Sequence, residues 1–338
     1  MKKPVYLKQI ICLLMLFVIF FILKSNEAAI PTVLFGTAKD FTRAAVTEEE
    51  TPVATEGVTG WLRKDGEFYY YQDGQPTIGW LELDGEKYYF HRRSEDGYFK
   101  GQLATGWLKV KRHFYYFREE DSEDGPPGSM VTGDQTVDGR FYKFRDDGSV
   151  YCVCLDAGHV GYYNHSPVNS EFVESVMAWK LHTYLKEDLE AYGFKVITTR
   201  ESMFENLSPA ERGYKAAGAD LMISIHSDAS SNPDEDAPTA YCTIRGTADE
   251  IGATLANVIH ETIGTTYPGA VEHRYSKERY NTDYYGVVRT AALLSVPSIL
   301  LEHSYHTNPH TVEFLVNEDC LKTLAQAEAD AIAEYFLG

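Results

Sequence analysis

Three side chains that can bind metal or transfer protons stand at the ends of predicted buried strands. His159 follows the apolar run Val150–Leu155 after a tight turn at Ala157-Gly158. His226 ends a second apolar run, and Glu302 ends a third. Because ligands of open α/β sheets lie at the carboxyl ends of strands, we expect these side chains to share one site.

The residue types at this site are those of a catalytic zinc centre. Glu174 lies in the first turn of a predicted helix, fifteen residues after His159. With His226, this gives two imidazoles and one carboxylate, a ligand set that leaves the fourth zinc position open. A histidine at a strand end is more often structural, so residue types alone do not decide between the two interpretations.

The segments around these residues form three specific motifs. They are Leu155-Asp-Ala-Gly-His-Val-Gly161, Ser224-Ile-His-Ser-Asp-Ala229 and Leu300-Leu-Glu-His-Ser-Tyr-His-Thr-Asn308. In this order they resemble the zinc-dependent N-acetylmuramoyl-L-alanine amidases of bacterial cell walls, the amidase type 3 family. The resemblance covers about residues 150–338. It implies that His159, Glu174 and His226 bind Zn²⁺.

The resemblance also assigns roles to neighbouring residues. Glu302 coincides with the family's catalytic glutamate, and a carboxylate there could pass a proton from water to a leaving nitrogen. Arg289 matches a family position near the site and is predicted to grip a substrate carboxylate or carbonyl. Glu171 competes with Glu174 as the third ligand, although both acids would also suit the first turn of a helix. The family spacing favours Glu174.

Two positions depart from the family motifs without removing a ligand. Val160 replaces a glycine beside the first histidine, and Asp228 stands where an asparagine is usual. We still expect activity, with altered surroundings of the metal. Three further histidines follow Glu302 closely and could orient substrate or lie on the surface: His303, His306 and His310.

From Val150 onward, apolar strands alternate with amphipathic helices. This alternation predicts a three-layer α/β domain with a mainly parallel sheet over residues 150–338. The predicted strands are 150–155, 194–200, 220–226, 241–245 and 299–302, and the predicted helices are 174–192, 208–218, 248–263 and 321–336.

Residues 59–148 contain internal repeats. Each repeat has a Gly-Trp step followed by Asp-Gly or a similar turn and alternating aromatic residues, which predicts an all-β module of stacked hairpins, a solenoid. The aromatic side chains could be core only, or could line shallow pockets for sugars or a quaternary amine. The candidate ligand-binding residues are Trp61, Trp80, Trp107, Tyr70, Tyr89 and Tyr116.

The repeats resemble the choline-binding and glucan-binding repeats of bacterial surface proteins. That resemblance implies attachment to a wall polysaccharide or to a choline-decorated polymer. Three positions depart from the family's second tryptophan, namely Phe68, Lys87 and Phe114. The departure weakens the case for choline itself, so both ligands stay open.

The first residues and the composition indicate a protein that acts outside the cytoplasm. Lysines precede the apolar run Ile10–Leu23, which is shorter than the about 20 residues of a membrane span. We expect residues 1–28 to be a signal peptide or a membrane anchor and residues 29–58 to be a linker. The net charge of −19 argues against a nucleic-acid partner, since phosphate binding needs a basic surface.

The cysteines do not form a recognisable disulfide pattern. Cys152 and Cys154 lie two apart on one strand, where they are badly placed to bridge each other. We interpret all four of these cysteines, Cys152, Cys154, Cys242 and Cys320, as small buried hydrophobic residues. A metal site at the Cys-x-Cys pair would lack a second pair of thiolates.

Three functions are compatible with these observations. The first is a zinc hydrolase that cleaves the amide between N-acetylmuramic acid and L-alanine of peptidoglycan, held on the wall by the repeats. The second is a zinc peptidase that acts on the stem peptides. The third is a surface adhesin without enzymatic activity.

Overall fold

The computed structural model describes the backbone of residues 33–35 and the whole of residues 57–94 and 97–338. Contacts divide the chain into two compact units: unit 1 extends to residue 106 and includes 117–130, and unit 2 comprises 107–116 and 131–338. The predicted targeting segment and most of the predicted linker lie outside the described residues. Within the described part, no helix is long and apolar enough to cross a membrane.

Unit 1 consists of antiparallel hairpins. At the β-turns Asp84 and Gly85 have φ values of 54° and 87°, as a two-residue hairpin turn of type I′ requires. The hairpins predicted from the Asp-Gly steps are therefore present, although the repeat type is not identified. The strands are β1 (Val33–Phe35), β2 (Gly60–Lys64), β3 (Glu67–Gln72), β4 (Gln75–Pro76), β5 (Gly79–Leu83) and β6 (Glu86–Phe90), paired in the order β1-β2-β3-β4 and as β5-β6.

Unit 2 begins with a five-stranded antiparallel sheet made by the last two hairpins and the short strand that follows them. Its core contains Tyr142 and Phe144, with Trp107 packed against them. The domain boundary predicted between residues 148 and 150 stays a prediction, because the compact units divide the chain at other positions. The strands are β7 (Gly106–Val110), β8 (His113–Phe117), β9 (Gly133–Val137), β10 (Arg140–Phe144) and β11 (Ser149–Val150), in the order β7-β8-β11-β10-β9.

The larger part of unit 2 is a six-stranded, mostly parallel sheet. Strand β15 runs antiparallel to β17, and the remaining neighbours are parallel. This confirms the predicted α/β fold class. The strands are β12 (Cys152–Ala157), β13 (Lys195–Thr198), β14 (Leu221–Asp228), β15 (Thr239–Cys242), β16 (Ala270–Glu272) and β17 (Ser298–Tyr305), in the order β13-β12-β14-β17-β15-β16.

Helices cover both faces of this sheet and give the three layers. The helices are α1 (Glu174–Ala191), α2 (Pro209–Lys215), α3 (Asp249–Ile263), α4 (Gly286–Leu293), α5 (Pro309–Val316) and α6 (Glu318–Leu337). One apolar core lies under α1, α3 and α6, and a smaller one lies under α4 on the opposite face. Helix α2 begins with the predicted capping box, in which the Ser208 side chain and the Glu211 carboxylate each bind the other residue's backbone N–H.

The structure differs from the predicted elements in one strand that is split and in three elements that were not predicted. The predicted strand 150–155 is two strands in different sheets, because Val150 pairs with Phe144 whereas Cys152 pairs with Lys195. The sequence analysis missed α4 and α5, which are only eight residues long and lie next to loops. It also missed β16, a three-residue edge strand with little apolar pattern.

The cysteines of the described residues are free, and three of them are buried in the α/β domain. Cys152 and Cys154 belong to the same apolar core, as their spacing on one strand predicts. Burial raises the pKa of Cys242 to about 12, so its thiol is neutral at physiological pH. Cys320 is half-buried, unlike the fully buried residue that we expected.

The central helix α1 should supply much of the stability of unit 2. Leu185 lies in α1 and is 0% exposed. Replacing it with alanine should therefore lower the free energy of unfolding by about 2–5 kcal/mol, measured by urea denaturation. Leu293→Ala is the matched control, since this leucine is 63% exposed and its truncation should change stability by less than about 0.5 kcal/mol. Equal effects would contradict the assignment of the core.

Candidate metal centre

The structure brings together the side chains of the three predicted metal ligands. Glu174 Oε1 lies 2.9 Å from His159 Nε2 and 3.0 Å from His226 Nδ1. One ligand atom from each residue lies within 4.8 Å of the other two. A divalent cation needs such a convergence of nitrogen and carboxylate donors, so the residues present fit a metal ion.

A strained turn at the end of β12 presents His159. The residue has a φ of 58°, a left-handed conformation that is uncommon for a residue with a side chain and is typical of functional sites. Gly158 precedes it, and a Cβ atom there would lie 2.6 Å from the ring of His226 and from the carbonyl oxygen of Ile225. Only glycine therefore allows β12 and β14 to bring the two imidazoles together.

Glu174 is held in place by two residues that the sequence analysis did not identify. The Asn164 side-chain amide donates to Glu174 Oε2 at 2.6 Å, and the backbone N–H of Ser227 donates to Oε1 at 3.2 Å. Asn164 lies in an irregular loop without periodic pattern, which is why no sequence signal marked it. Glu171, the competing acid, is exposed and lies outside the cluster.

The protonation states of the site suit a cation. Burial lowers the pKa of His226, so its ring is neutral and keeps a lone pair for a metal. Burial alone would raise the pKa of the Glu174 carboxyl, but the two imidazoles that lie against it, His159 and His226, outweigh burial and bring that pKa below its ordinary value. The carboxylate therefore stays charged.

Glu302 lies in the same pocket as the three predicted ligands. Its register partner across the β14–β17 pair is His226, and its Oε2 atom is buried without a hydrogen-bond partner among the described residues. Burial raises the pKa of the Glu302 carboxyl well above its ordinary value, and the negative charges of Asp228 and Glu174 raise it further. Other residues that line the pocket are Asn164, Pro209, Arg212, Ser227, Asp228, Tyr285 and His306.

Comparison with known proteins identifies the family. Residues 153–334 match the model of a family described as N-acetylmuramoyl-L-alanine amidase (Amidase_3), which is more than half of the chain. The chain belongs to this family. Its second half is therefore an N-acetylmuramoyl-L-alanine amidase domain, and the family implies peptidoglycan as the substrate. The search of curated proteins gave no match.

Several solved structures are similar to the amidase domain. Cwp6 from Clostridium difficile is 23% identical with a TM-score of 0.50, covering 55% of this chain and 29% of that chain. The catalytic domain of CwlV from Bacillus (Paenibacillus) polymyxa var. colistinus is 23% identical, with a TM-score of 0.45 and coverage of 55% and 98%. AmiC2 of Nostoc punctiforme is 23% identical, with a TM-score of 0.47 and coverage of 56% and 98%. This chain thus spans less than a third of the length of Cwp6.

In the amidase domain a buried hydrogen-bond chain orients His226. Its Nε2 atom lies 3.2 Å from Ser224 Oγ, and that hydroxyl donates to Asp156 Oδ2 at 2.6 Å. Because the hydroxyl proton points to Asp156, Ser224 can accept from Nε2–H, which leaves the Nδ1 lone pair directed at the cluster. Arg212 balances the charge of Asp156 at 2.8 Å, with both side chains buried.

The remaining predicted residues of the amidase site occupy different environments. The Arg289 guanidinium donates to the backbone carbonyls of Asp283 and Tyr284 and does not line the pocket, so its predicted grip on substrate stays a prediction. Val160 also lies outside the pocket lining, whereas Asp228 lies within it.

The three histidines after Glu302 differ in burial and in their contacts. His306 lines the pocket, where its ring stacks on Phe172 with 5.4 Å between the ring centroids. His303 is fully buried and pairs with Glu328 at 2.8 Å. His310 is partly buried, with its Nε2 atom 3.1 Å from the carbonyl oxygen of Ile263. Of the three, His306 is thus the one that shares the pocket of the predicted metal ligands His159, Glu174 and His226.

The tryptophans of the hairpins differ in exposure. In unit 1, Trp61 is 0% exposed and belongs to the core, whereas Trp80 is 40% exposed and contacts Tyr89 and Phe117. Tyr70 is buried against Trp61. A ligand from solution could therefore reach the ring of Trp80 but not that of Trp61.

In unit 2, a cation from the amidase sheet covers Trp107. Its ring contacts Tyr116, Tyr142 and Phe144, with centroid distances of 5.3, 4.8 and 5.7 Å. The ammonium of Lys195 lies 4.0 Å from the centroid of Trp107, in the geometry of a cation–π contact. The aromatic surface at Trp107 is therefore already paired with a cation of the same chain.

A divalent ion should stabilise the protein through Glu174. Zn²⁺ added to metal-free protein at about 100 times its dissociation constant should stabilise by about 2.7 kcal/mol, a rise in Tm of about 5–10 °C. Glu174→Gln should lose most of this rise, because it removes an anionic donor. Glu171→Gln is the matched control and should behave as the parent; the reverse pattern would move the third ligand to Glu171.

Proposed function

We propose that this chain is a zinc-dependent peptidoglycan hydrolase that cleaves the amide between the lactyl group of N-acetylmuramic acid and L-alanine. The observation that carries the proposal is the convergence of His159, Glu174 and His226 at the carboxyl edge of the sheet, beside Glu302. Because peptidoglycan lies outside the cytoplasm, the enzyme acts there, either secreted or held by an N-terminal anchor.

The side chains of the pocket have two different roles in the proposed reaction, metal binding and proton transfer. His159, Glu174 and His226 hold the ion, and zinc, when bound there, supplies a Lewis acid that activates water and polarises the scissile carbonyl. Glu302 takes the proton of the attacking water and passes it to the leaving nitrogen of L-alanine. Its raised pKa suits the second step, since the carboxyl holds a proton long enough to deliver it.

His306 and Arg212 have supporting roles in this proposal. Burial lowers the pKa of His306, so that its neutral ring can bind a substrate group without adding charge beside the metal. Arg212 neutralises Asp156, and Asp156 orients His226 through the Ser224 hydroxyl.

The role of Glu302 is tested by a conservative substitution. Glu302→Gln keeps the shape of the side chain but cannot transfer the proton, so peptide release should fall by at least about 100-fold. Zinc content, measured by elemental analysis, should stay at the parental level. Parental activity of the variant would remove Glu302 from the mechanism.

The cleaved bond is identified by mass spectrometry of digested peptidoglycan, with and without chelator. Free N-terminal L-alanine with intact glycan supports the amidase, and the chelator should abolish it. Cleavage within the stem peptides would support the zinc peptidase instead. If no chelator-sensitive product appears, both enzymatic functions are rejected and the surface adhesin without enzymatic activity is the remaining hypothesis.

We also propose that the hairpins attach the enzyme to the wall, through a polysaccharide or a choline-decorated polymer. The ring of Trp80, which is exposed and packs on Tyr89 and Phe117, supports this, because an exposed aromatic ring can pack on a sugar ring or contact a quaternary amine. The buried Trp61 and the Lys195-covered Trp107 serve structure in this proposal.

Substitution of the two tryptophans separates attachment from structure. In a Glu302→Gln background, which leaves the wall intact, Trp80→Leu should reduce co-sedimentation with purified cell walls by about tenfold or more. Trp107→Leu should retain wall binding and instead lower Tm by about 2–4 °C, because it removes the contact with Lys195. If both variants lose binding equally, the assignment of Trp80 as the attachment site is wrong.

A further inference from the structure

Two large aromatic side chains lie exposed beside the metal centre. Tyr162 and Phe204, which we call the aromatic platform, are 68% and 63% exposed. Their ring centroids are 5.9 Å apart at an interplanar angle of 63°. Exposed aromatic rings in contact with each other offer an apolar surface on which a ligand can pack.

Hydrogen bonds join the loops that carry the aromatic platform. The Gly161 N–H donates to the carbonyl oxygen of Met203 at 3.0 Å, which links the two loops next to the rings. The Arg200 guanidinium, which is 3% exposed, donates to Met203 O at 3.1 Å and to Ala157 O at 2.6 Å. The backbone beneath the rings is thus fixed although the rings themselves are exposed.

The aromatic platform is continuous with the metal centre. Tyr163, next to Tyr162, stacks on the ring of His159 with 4.7 Å between centroids. The Ser175 hydroxyl donates to Gly161 O at 2.6 Å and accepts from the Tyr163 N–H at 2.8 Å. Because Ser175 follows the ligand Glu174 in α1, the same helix turn positions the ligand and the loop of the aromatic platform.

We propose that the aromatic platform binds a sugar ring of the glycan strand next to the amide that is cleaved. This inference rests on the proposed function, in which the scissile amide is attached through a lactyl group to a sugar. A substrate held with that amide at the metal centre must have its sugar within a few bonds of that centre. Tyr162 follows His159 by three residues, and its neighbour Tyr163 stacks on the His159 ring, so the aromatic platform lies on the loop next to that sugar.

Charge near the aromatic platform favours a neutral sugar over an anionic polymer. The loop segment 201–207 contains Glu201 and Glu205 and no lysine or arginine, and the segment 158–164 contains no lysine or arginine either. Phosphate-rich polymers would be repelled, whereas sugar hydroxyls can donate hydrogen bonds to the two carboxylates. The apolar faces of a pyranose then pack on the rings.

The test compares two substrates that share the scissile amide. One is a disaccharide–peptide fragment of peptidoglycan, and the other is the corresponding lactoyl-peptide without sugar. For the double variant Tyr162→Ala/Phe204→Ala we expect kcat/KM on the disaccharide–peptide to fall about tenfold, through KM rather than kcat. On the lactoyl-peptide, kcat/KM should be unchanged.

Tyr335→Ala provides the matched control, since Tyr335 is an exposed tyrosine on α6. It should leave kcat/KM parental on both substrates. An equal loss on both substrates in the double variant would assign the aromatic platform to peptide binding or general stability. An unchanged kcat/KM on the disaccharide–peptide would overturn the proposal outright.

A binding measurement separates this proposal from the proposed function. If the parent cleaves neither substrate, the proposed function fails, and sugar binding is still measurable by calorimetry with an N-acetylglucosamine tetramer in a Trp80→Leu background. The double variant should then bind about tenfold more weakly than the Trp80→Leu protein. Equal affinity would reject the aromatic platform as a sugar site.

Discussion

The site depends on one buried carboxylate oxygen shared between two imidazoles. Glu174 Oε1 lies 2.9 Å from His159 Nε2 and 3.0 Å from His226 Nδ1. The Glu174 side chain is buried there, at the carboxyl edge of the sheet. A charge in such surroundings is costly unless a cation or several donors compensate it. The hydrogen bonds from Asn164 and Ser227 supply part of this compensation, and a bound metal ion would supply the rest.

The neighbouring structure limits the freedom of each ligand. The glycine at 158 lets two strands approach, and the left-handed φ of His159 turns its ring towards Glu174. The Ser224 hydroxyl, held by Asp156, orients the other imidazole. These contacts hold the three candidate donors in one arrangement, and donors held in this way lose less conformational entropy when a ligand binds.

Sequence reasoning could predict those parts of the structure that depend on short, local patterns. The strand-helix alternation and the three motifs gave the α/β fold, and the strand ends gave His159, His226 and Glu302. The preference for Glu174 over Glu171 came from the family spacing and stays a prediction; in the structure Glu174 is buried against the two histidines and Glu171 is exposed. The Asp-Gly steps gave the hairpins, since a type I′ turn requires positive φ at both residues.

The remaining features depend on contacts between distant segments. Nothing near Tyr151 in the sequence indicates that the chain leaves one sheet and enters another there. Asn164 resembles any loop asparagine until the fold places its amide 2.6 Å from Glu174 Oε2. Likewise, Trp61, Trp80 and Trp107 occupy equivalent positions of their repeats, and only their packing partners distinguish a core residue, an exposed ring and a ring covered by Lys195.

The contact of Lys195 with Trp107 is one of several that join the last hairpins to the amidase fold. Arg140 pairs with Glu190 at 3.0 Å, and the Lys143 N–H donates to Gly193 O at 3.0 Å. A gene fusion that moved only the α/β sheet to a new protein would leave these polar and aromatic groups without counterparts. A segment that recombination moves with its contacts intact would therefore include these two hairpins together with the α/β sheet.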